Sequence, residues 1–265
     1  MLNGASAMKR LGLPTRSGEQ HLALIDEMAG RIRPDTPSLD DWYATYVRQH
    51  RLRLASDLEI VTQWAPGRAR LLEYGAVPLV LTAALVDRGF PVSAVDVDPD
   101  RFGTAIAELQ LDVRSCDVET EPVPFESSAF DAVVFNELFE HLRINPIFTL
   151  GEAHRVLKPD GILLLSTPNL RSFRGIRNLL LHNQGHAVSA GVYRQYEKLA
   201  TLGHMGHVRE YTTHEVASFL TRVGFSVETV IYRGGHGTGV VGFAERLAPS
   251  LRPFFSLVAT KEDAA

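Results

Sequence analysis

The chain has 265 residues, 45% of them hydrophobic and 22% charged, which excludes disorder as the main state and sizes the protein as one large domain or one domain with an appendage. Lysine and arginine number 27 against 31 aspartates and glutamates, a formal charge of −4, so no global basic field exists to hold a polyanion such as DNA. Cys116 is the single cysteine, which excludes an internal disulfide and a thiolate-rich zinc site and fits a reducing, cytoplasmic setting.

In chain order, Met1 to Arg16 carries Lys9, Arg10 and Arg16 with no apolar core after them, so no secretory signal is expected. Ser17 to Trp64 reads as helical. Leu22, Ile25, Met28, Ala29 and Ile32 share one face, Pro34 and Pro37 interrupt, and Leu54, Leu58 and Val61 resume the period. Residues 1–64 are therefore expected to be an N-terminal helical extension and residues 65–265 the main domain. From Arg70 short apolar runs alternate with helical stretches, the signature of βαβ units in a parallel sheet. The expected strands are Leu71-Leu72-Glu73, Val92 to Val95, Leu111 to Cys116, Phe130 to Phe135 and Gly161 to Ser166, with a helix over Ile144 to Leu157 stopped by the turn Lys158-Pro159-Asp160-Gly161. The longest apolar stretch, Pro78 to Val86, is far below the roughly 18 residues that span a bilayer. Between Pro168 and Tyr211 the alternation lapses for longer than an ordinary connection, which marks an insertion (168–211) after the fifth strand. A helix over Thr213 to Val223, stopped by Gly224, a strand over Phe225 to Tyr232 and a last, antiparallel strand over Phe254 to Thr260 complete the pattern.

In an open parallel sheet the ligand lies beyond the carboxyl ends of the strands. The first exit is Glu73-Tyr74-Gly75-Ala76-Val77-Pro78, where small residues let backbone approach a ligand. The second is Asp96, a carboxylate placed to accept both hydroxyl protons of a ribose. A nucleoside-containing cofactor is implied. Gly-x-Gly-x-x-Gly is absent, and Val77 and Leu79 stand where a pyrophosphate needs glycine, so the loop leans away from dinucleotides.

These segments resemble those of class I S-adenosylmethionine-dependent methyltransferases of the UbiE/UbiG-like kind. The resemblance rests on Leu71-Leu72-Glu73-Tyr74-Gly75-Ala76, Val95-Asp96-Val97-Asp98-Pro99, Cys116-Asp117 with Val123-Pro124-Phe125, Phe130 to Glu137, Glu140-His141-Leu142 and Arg155 to Gly161, in this order, and covers about Leu58 to Lys261. It implies a Rossmann-like α/β fold: a seven-stranded, mostly parallel sheet with an antiparallel last strand and helices on both faces. It implies S-adenosyl-L-methionine as cofactor, with Glu73, Gly75 and Ala76 on its methionine and ribose side and Asp96 on the ribose hydroxyls. It also implies Asp117 at the adenine amino group, Val97 and Val118 as walls on the ring, and Asn136 and Glu137 near the sulfonium and the acceptor. Val77-Pro78 departs from the family's second loop glycine.

Several of these residues also have structural readings: Asp117 as a turn cap, His141 as a backbone-bonded histidine, Asp131 as the first polar residue of its strand. The insertion is expected to read the acceptor and to act as a lid. In it Arg171, Arg174 and Arg177 form either a solvated face or a site for an anionic acceptor. Gly203-His204-Met205-Gly206-His207-Val208-Arg209-Glu210-Tyr211 concentrates proton carriers, and its Gly-His-x-Arg-Glu-Tyr part loosely resembles methyltransferases acting on glycans or polar lipids. His207, His141 and Glu137 are the candidate catalytic groups, with histidine suited to deprotonate an acceptor hydroxyl at neutral pH. His182, His186, His204 and His207 have an alternative reading as metal ligands, but no helical His-x-x-x-His pair or thiolate accompanies them and no metal is expected. The expected function is O-methylation of a small or glycan-like acceptor, with no nucleic acid partner and no membrane span. The competing readings are a catalytically silent methyltransferase-like binding module, motivated by Val77-Pro78, and an NAD-linked oxidoreductase.

Overall fold

The computed structural model describes residues 9–12, 18–65, 67–189, 191–202, 206–235 and 238–262. Its centre is one eight-stranded sheet. The strands are β1 (Lys9–Gly12), β2 (Leu71–Tyr74), β3 (Val92–Asp96), β4 (Asp112–Ser115), β5 (Phe130–Asn136), β6 (Leu157–Pro168), β7 (Phe225–Arg233) and β8 (Phe254–Lys261). Their order across the sheet is β1-β7-β8-β6-β5-β2-β3-β4. All neighbours pair parallel except β8, which runs antiparallel to both β6 and β7.

Seven of the strands, including the antiparallel last one, are those expected. The eighth, β1, is a correction: its four residues, from the segment weighed as a leader, pair parallel with Thr229–Tyr232 at the outer edge of β7. Their ladder partner lies far along the chain, so local pattern carries no trace of the pairing. The Lys158-Pro159-Asp160-Gly161 turn survives as an irregularity inside β6, where the register against β5 jumps from Phe130↔Leu157 to Ala132↔Ile162 and Asp160 takes φ 58°.

Helices cover both faces. On one lie α1 (Leu22–Arg31), α2 (Asp40–Trp64), α3 (Val80–Asp87) and α4 (Gly103–Glu108), whose apolar residues join Leu71, Ala94, Ala132 and Val134 in one buried cluster. The predicted helical extension is thus α1 and α2, and Ile25, Met28, Leu54, Leu58 and Val61 belong to the same core as the sheet. On the other face α5 (Pro146–Val156) and α8 (Thr213–Val223) pack over Leu72, Val133, Leu163 and Val230. Local chemistry sets the ends. Pro146 opens α5 while Asn145 Oδ1 accepts from Phe148 N, and Thr212 and Glu215 close a capping box on α8, which stops at left-handed Gly224. The insertion holds α6 (Phe173–His182) and α7 (Val192–Leu202), and α9 (Gly239–Leu247) follows β7. Arg171 falls before the α6 N-cap Ser172, so it does not share a helical face with Arg174 and Arg177. Among the described residues no helix is long and apolar enough to cross a membrane.

Candidate functional site

The strand order turns at the β2/β5 boundary, with β3 and β4 on one side and β6, β8 and β7 on the other, and the exits of β2, β3 and β5 meet there. Gly75, at φ 70°, donates its N–H to Val95 O at 2.8 Å, and Ala76 N follows at 3.2 Å, so the first exit loop lies against the end of β3. Asp96 sits between the two loops: Oδ2 accepts from Val77 N at 3.0 Å and Oδ1 from Asp98 N at 3.2 Å. Of the bulky departures of the loop, Leu79 is buried in the core with Leu71 and Val80, and Val77 is partly buried against it. Glu73 is buried and accepts from Thr82 Oγ1 at 2.7 Å. Burial raises its pKa to about 8, with Thr82 opposing and Asp57 and Asp96 adding.

The third exit carries Asp117, whose Oδ1 accepts from Glu119 N at 3.0 Å and Oδ2 from Thr120 Oγ1 at 3.0 Å. Its side chain thus also closes its own turn. Val97, after β3, is 60% exposed, and Val118, after β4, is half-buried. Asn136 ends β5, opposite Ser166. Asp131 is held at the start of β5 by Arg70 N at 2.8 Å and Lys158 Nζ at 2.6 Å, away from the exits.

Glu137, in the left-handed region at φ 50°, is tied into a buried chain of charges. Its Oε1 meets Arg233 Nη2 at 2.6 Å and accepts from Ser166 Oγ at 3.0 Å, and its Oε2 meets Arg53 Nη1 at 3.1 Å. Arg233 Nη1 pairs with Asp57 Oδ1 at 2.8 Å, and Arg53 Nη2 donates to Tyr46 OH at 2.6 Å. Burial opposes ionisation of Glu137, but Arg53 and Arg233 outweigh it and hold the carboxyl below its ordinary value. Glu137 therefore anchors two guanidinium groups, a different duty from the proton transfer expected of it. Sequence reading missed Arg53, Asp57 and Arg233. The available signal was that Arg53 and Asp57 lie one turn apart on α2, beside the apolar stripe of Leu54, Leu58 and Val61.

The short turn after β5 and the insertion bring the two candidate histidines together. The rings of His141 and His207 meet edge to face with centroids 4.9 Å apart. Glu140 joins them: its buried carboxylate takes Thr167 Oγ1 at 2.8 Å on Oε2, while Oε1 has no hydrogen-bond partner and lies 3.9 Å from His207 Nε2. Burial raises Glu140 to about 7, reinforced by Glu137 and opposed by His207. On its other side His207 Nδ1 contacts Glu210 Oε1 at 3.1 Å. Burial disfavours the imidazolium, yet Glu210, then Glu140 and Glu137, outweigh it and raise the pKa of His207. Glu210 also accepts from three consecutive amides, Ala187 N at 2.5 Å, Val188 N at 3.2 Å and Ser189 N at 2.9 Å. Burial would raise its pKa, but these donors and His207 bring it to about 2. Gly203, His204 and Met205 lie outside the described residues.

A family model described as a methyltransferase domain matches residues 43–230. A ubiquinone biosynthesis O-methyltransferase from Xanthomonas campestris is 33% identical over 109 residues, 39% of this chain; the match spans 44% of that enzyme, less than half its length. An uncharacterised methyltransferase from Mycobacterium tuberculosis is 33% identical over 94 residues, 36% of this chain and 37% of the other. The solved structure of a SAM-dependent methyltransferase from Thermotoga maritima aligns with TM-score 0.58 at 17% identity, over 84% of this chain and 97% of that one. Another, from Archaeoglobus fulgidus, aligns at 0.57 and 15% identity, over 83% and 100%.

Proposed function

The chain belongs to the methyltransferase-domain family, and from that premise we propose that it transfers a methyl group from S-adenosylmethionine to a hydroxyl oxygen of a small-molecule acceptor. When bound, S-adenosylmethionine supplies an electrophilic methyl carbon on a positively charged sulfur. The residues at the first three exits fit it by the chemistry of their donor set. Asp96 accepts from the ribose hydroxyls, Glu73 and the Gly75-Ala76 backbone flank the methionine side, Asp117 accepts from the adenine amino group, and Val97 and Val118 bracket the ring. Asn136 borders the transfer point. The chain's remaining task is to align the acceptor oxygen and receive its proton.

The observation that supports the acceptor side is the cluster of Glu140 and His141, which follow β5, with His207 from the 168–211 segment. Three titratable side chains in one partly buried place suit an acceptor hydroxyl, which must shed its proton on methylation, although N–H and C–H acceptors shed one too. Glu137 serves as the anchor of Arg53 and Arg233. A glycan-like acceptor has only the Gly-His-x-Arg-Glu-Tyr resemblance in its support, and the separation of Arg171 from Arg174 and Arg177 lends none to an anionic one. Calorimetry with S-adenosylmethionine, its demethylated product and NAD, followed by transfer of labelled methyl into pools of hydroxylated small molecules, tests the proposal. Binding of the first two without NAD, and label in an alkali-stable ether, is the expected result. Binding without any transfer would leave a silent binding module, and NAD binding alone an oxidoreductase.

A further inference from the structure

Glu140 presents an energetic anomaly. Its side chain has no exposure, its Oε2 is satisfied by Thr167, and its Oε1 is buried with no hydrogen-bond donor. A buried carboxylate oxygen without a donor costs on the order of 1–3 kcal/mol or more, so such an atom calls for a partner. The groups facing it are the imidazoles of His207 and His141. One ligand atom from each of the three residues lies within 4.8 Å of the others.

We infer that Glu140, His141 and His207 form a binding site for one divalent transition-metal ion, of the zinc, cobalt or iron class, on the acceptor side of the methyl-donor pocket. Its place beside the acceptor rests on the function proposed above; the binding itself does not.

The donor set selects the ion. Two imidazole nitrogens and one carboxylate oxygen suit borderline ions of the first transition row, whereas calcium and magnesium prefer all-oxygen shells. Three protein ligands leave positions open for water or an acceptor oxygen, the pattern of reactive rather than structural sites. The ligands stand slightly apart: His207 Nε2 and Glu140 Oε1 are 3.9 Å from each other, where ligands of one ion at about 2.1 Å would be separated by roughly 3–3.5 Å. The three ligand atoms lie within 4.8 Å of one another, so binding would have to draw the side chains together.

The surroundings support the site independently. A metal-bound histidine commonly gives its other ring N–H to a carboxylate, which fixes the tautomer and turns the ligand nitrogen toward the ion. Glu210 stands in that relation to His207: its Oε1 is 3.1 Å from Nδ1, leaving Nε2 on the side of Glu140. Glu210 is itself fixed by the amides of Ala187, Val188 and Ser189. The backbones of the two ligand segments are clipped together, because Glu140 O accepts from Val208 N at 2.8 Å. The sequence concealed all this: Glu140 and His141 follow β5, His207 lies in the insertion, and no metal-binding spacing links them.

The test is titration of the full, chelator-treated chain with Co2+ alone, followed by visible d–d absorption and by calorimetry, with S-adenosylmethionine binding measured separately in metal-free buffer. One ion per chain, with bands of a four- or five-coordinate site, is expected. Glu140→Gln, which keeps the shape and the Thr167 bond, should weaken binding at least ten-fold, as should His141→Ala, and Glu210→Gln should weaken it 10–100-fold. Circular dichroism identifies any variant that fails to fold, and His141→Gln then replaces His141→Ala. Absence of a stoichiometric d–d signal in the parent, or equal affinity in folded Glu140→Gln and His141 variants, would overturn the site. Failure of S-adenosylmethionine to bind would instead refute the methyltransferase reading and leave the metal titration to be judged by itself.

Discussion

At the residue scale the proposed cofactor site is a set of strand-exit side chains with unequal duties. Asp96 receives the amides of Val77 and Asp98, and on the proposed reading it also accepts from the ribose. Asp96→Ala should weaken S-adenosylmethionine binding by about 1–3 kcal/mol, read by calorimetry, with the circular dichroism spectrum unchanged. Asp131→Ala, at the opposite end of β5, should change it far less, and an unaltered Kd in Asp96→Ala would reject the assignment. His207→Ala should lower turnover roughly 100–10,000-fold with little change in cofactor affinity, whether its Nε2 takes the proton or binds an ion. Parent-like turnover would remove the cluster from the chemistry. Glu210 yields a pH prediction. Its folded pKa of about 2 lies below the ordinary 4.5, so the stabilisation it gives the 187–189 turn is present above pH 4.5 and is lost as pH falls toward 2. Hydrogen exchange at Ala187, Val188 and Ser189, corrected for intrinsic rates, should quicken across that window while β5 stays protected. Flat exchange there would show that the carboxylate does not hold the turn.

At the element scale, α2 is fastened to the sheet by charge as well as by apolar contact. Arg233 at the end of β7 is 2% exposed and balances Asp57 of α2 and Glu137 after β5. Arg233→Met would leave two buried carboxylates with Arg53 alone, and breaking a buried pair from one side costs about 3–5 kcal/mol. A corresponding fall in denaturant midpoint is expected. A midpoint within experimental error of the parent's would mean that water or protonation replaces the arginine without loss. The elements themselves were largely legible from sequence, because their signals are local: the stripe Val216, Leu220 for α8, the Gly224 stop, the apolar runs of β5 and β7. The exits Glu73, Gly75 and Asp96 were legible too, since position at a strand's carboxyl end is a local property. Long-range partnerships were not. Nothing near Glu137 announces Arg53 or Arg233, and nothing near His141 announces His207, because such pairs are made by the tertiary fold. Glu210 stood in a segment singled out for its proton carriers, but a role as receiver of three amides appears only once the 187–189 turn is folded over it.

At the scale of the whole molecule, the residues expected to be a helical extension are part of the main core. Ile25, Met28, Leu58 and Val61 are almost fully buried with Leu71, Leu79 and Val80, and the family match begins inside α2 at residue 43. Deletion of residues 1–64 should therefore yield a chain without a cooperative thermal transition, because it uncovers one face of the sheet and strands Glu137 and Arg233 without Arg53 and Asp57. A sharp transition in the truncated chain would show that the division at residue 64 is a true domain boundary.

The pairing of β1 with β7 bears on how separate molecules meet. Without β1 the backbone amides and carbonyls of Thr229–Tyr232 would form an open ladder at the rim of the sheet, the kind of template on which another chain's strand can dock. A four-residue strand occupies that ladder, and Lys9 contributes an exposed positive charge at its start. A segment too short to matter for the core thus acts as a guard against edge-to-edge association, and loss of its grip on β7 would be felt first as concentration-dependent clumping rather than as unfolding.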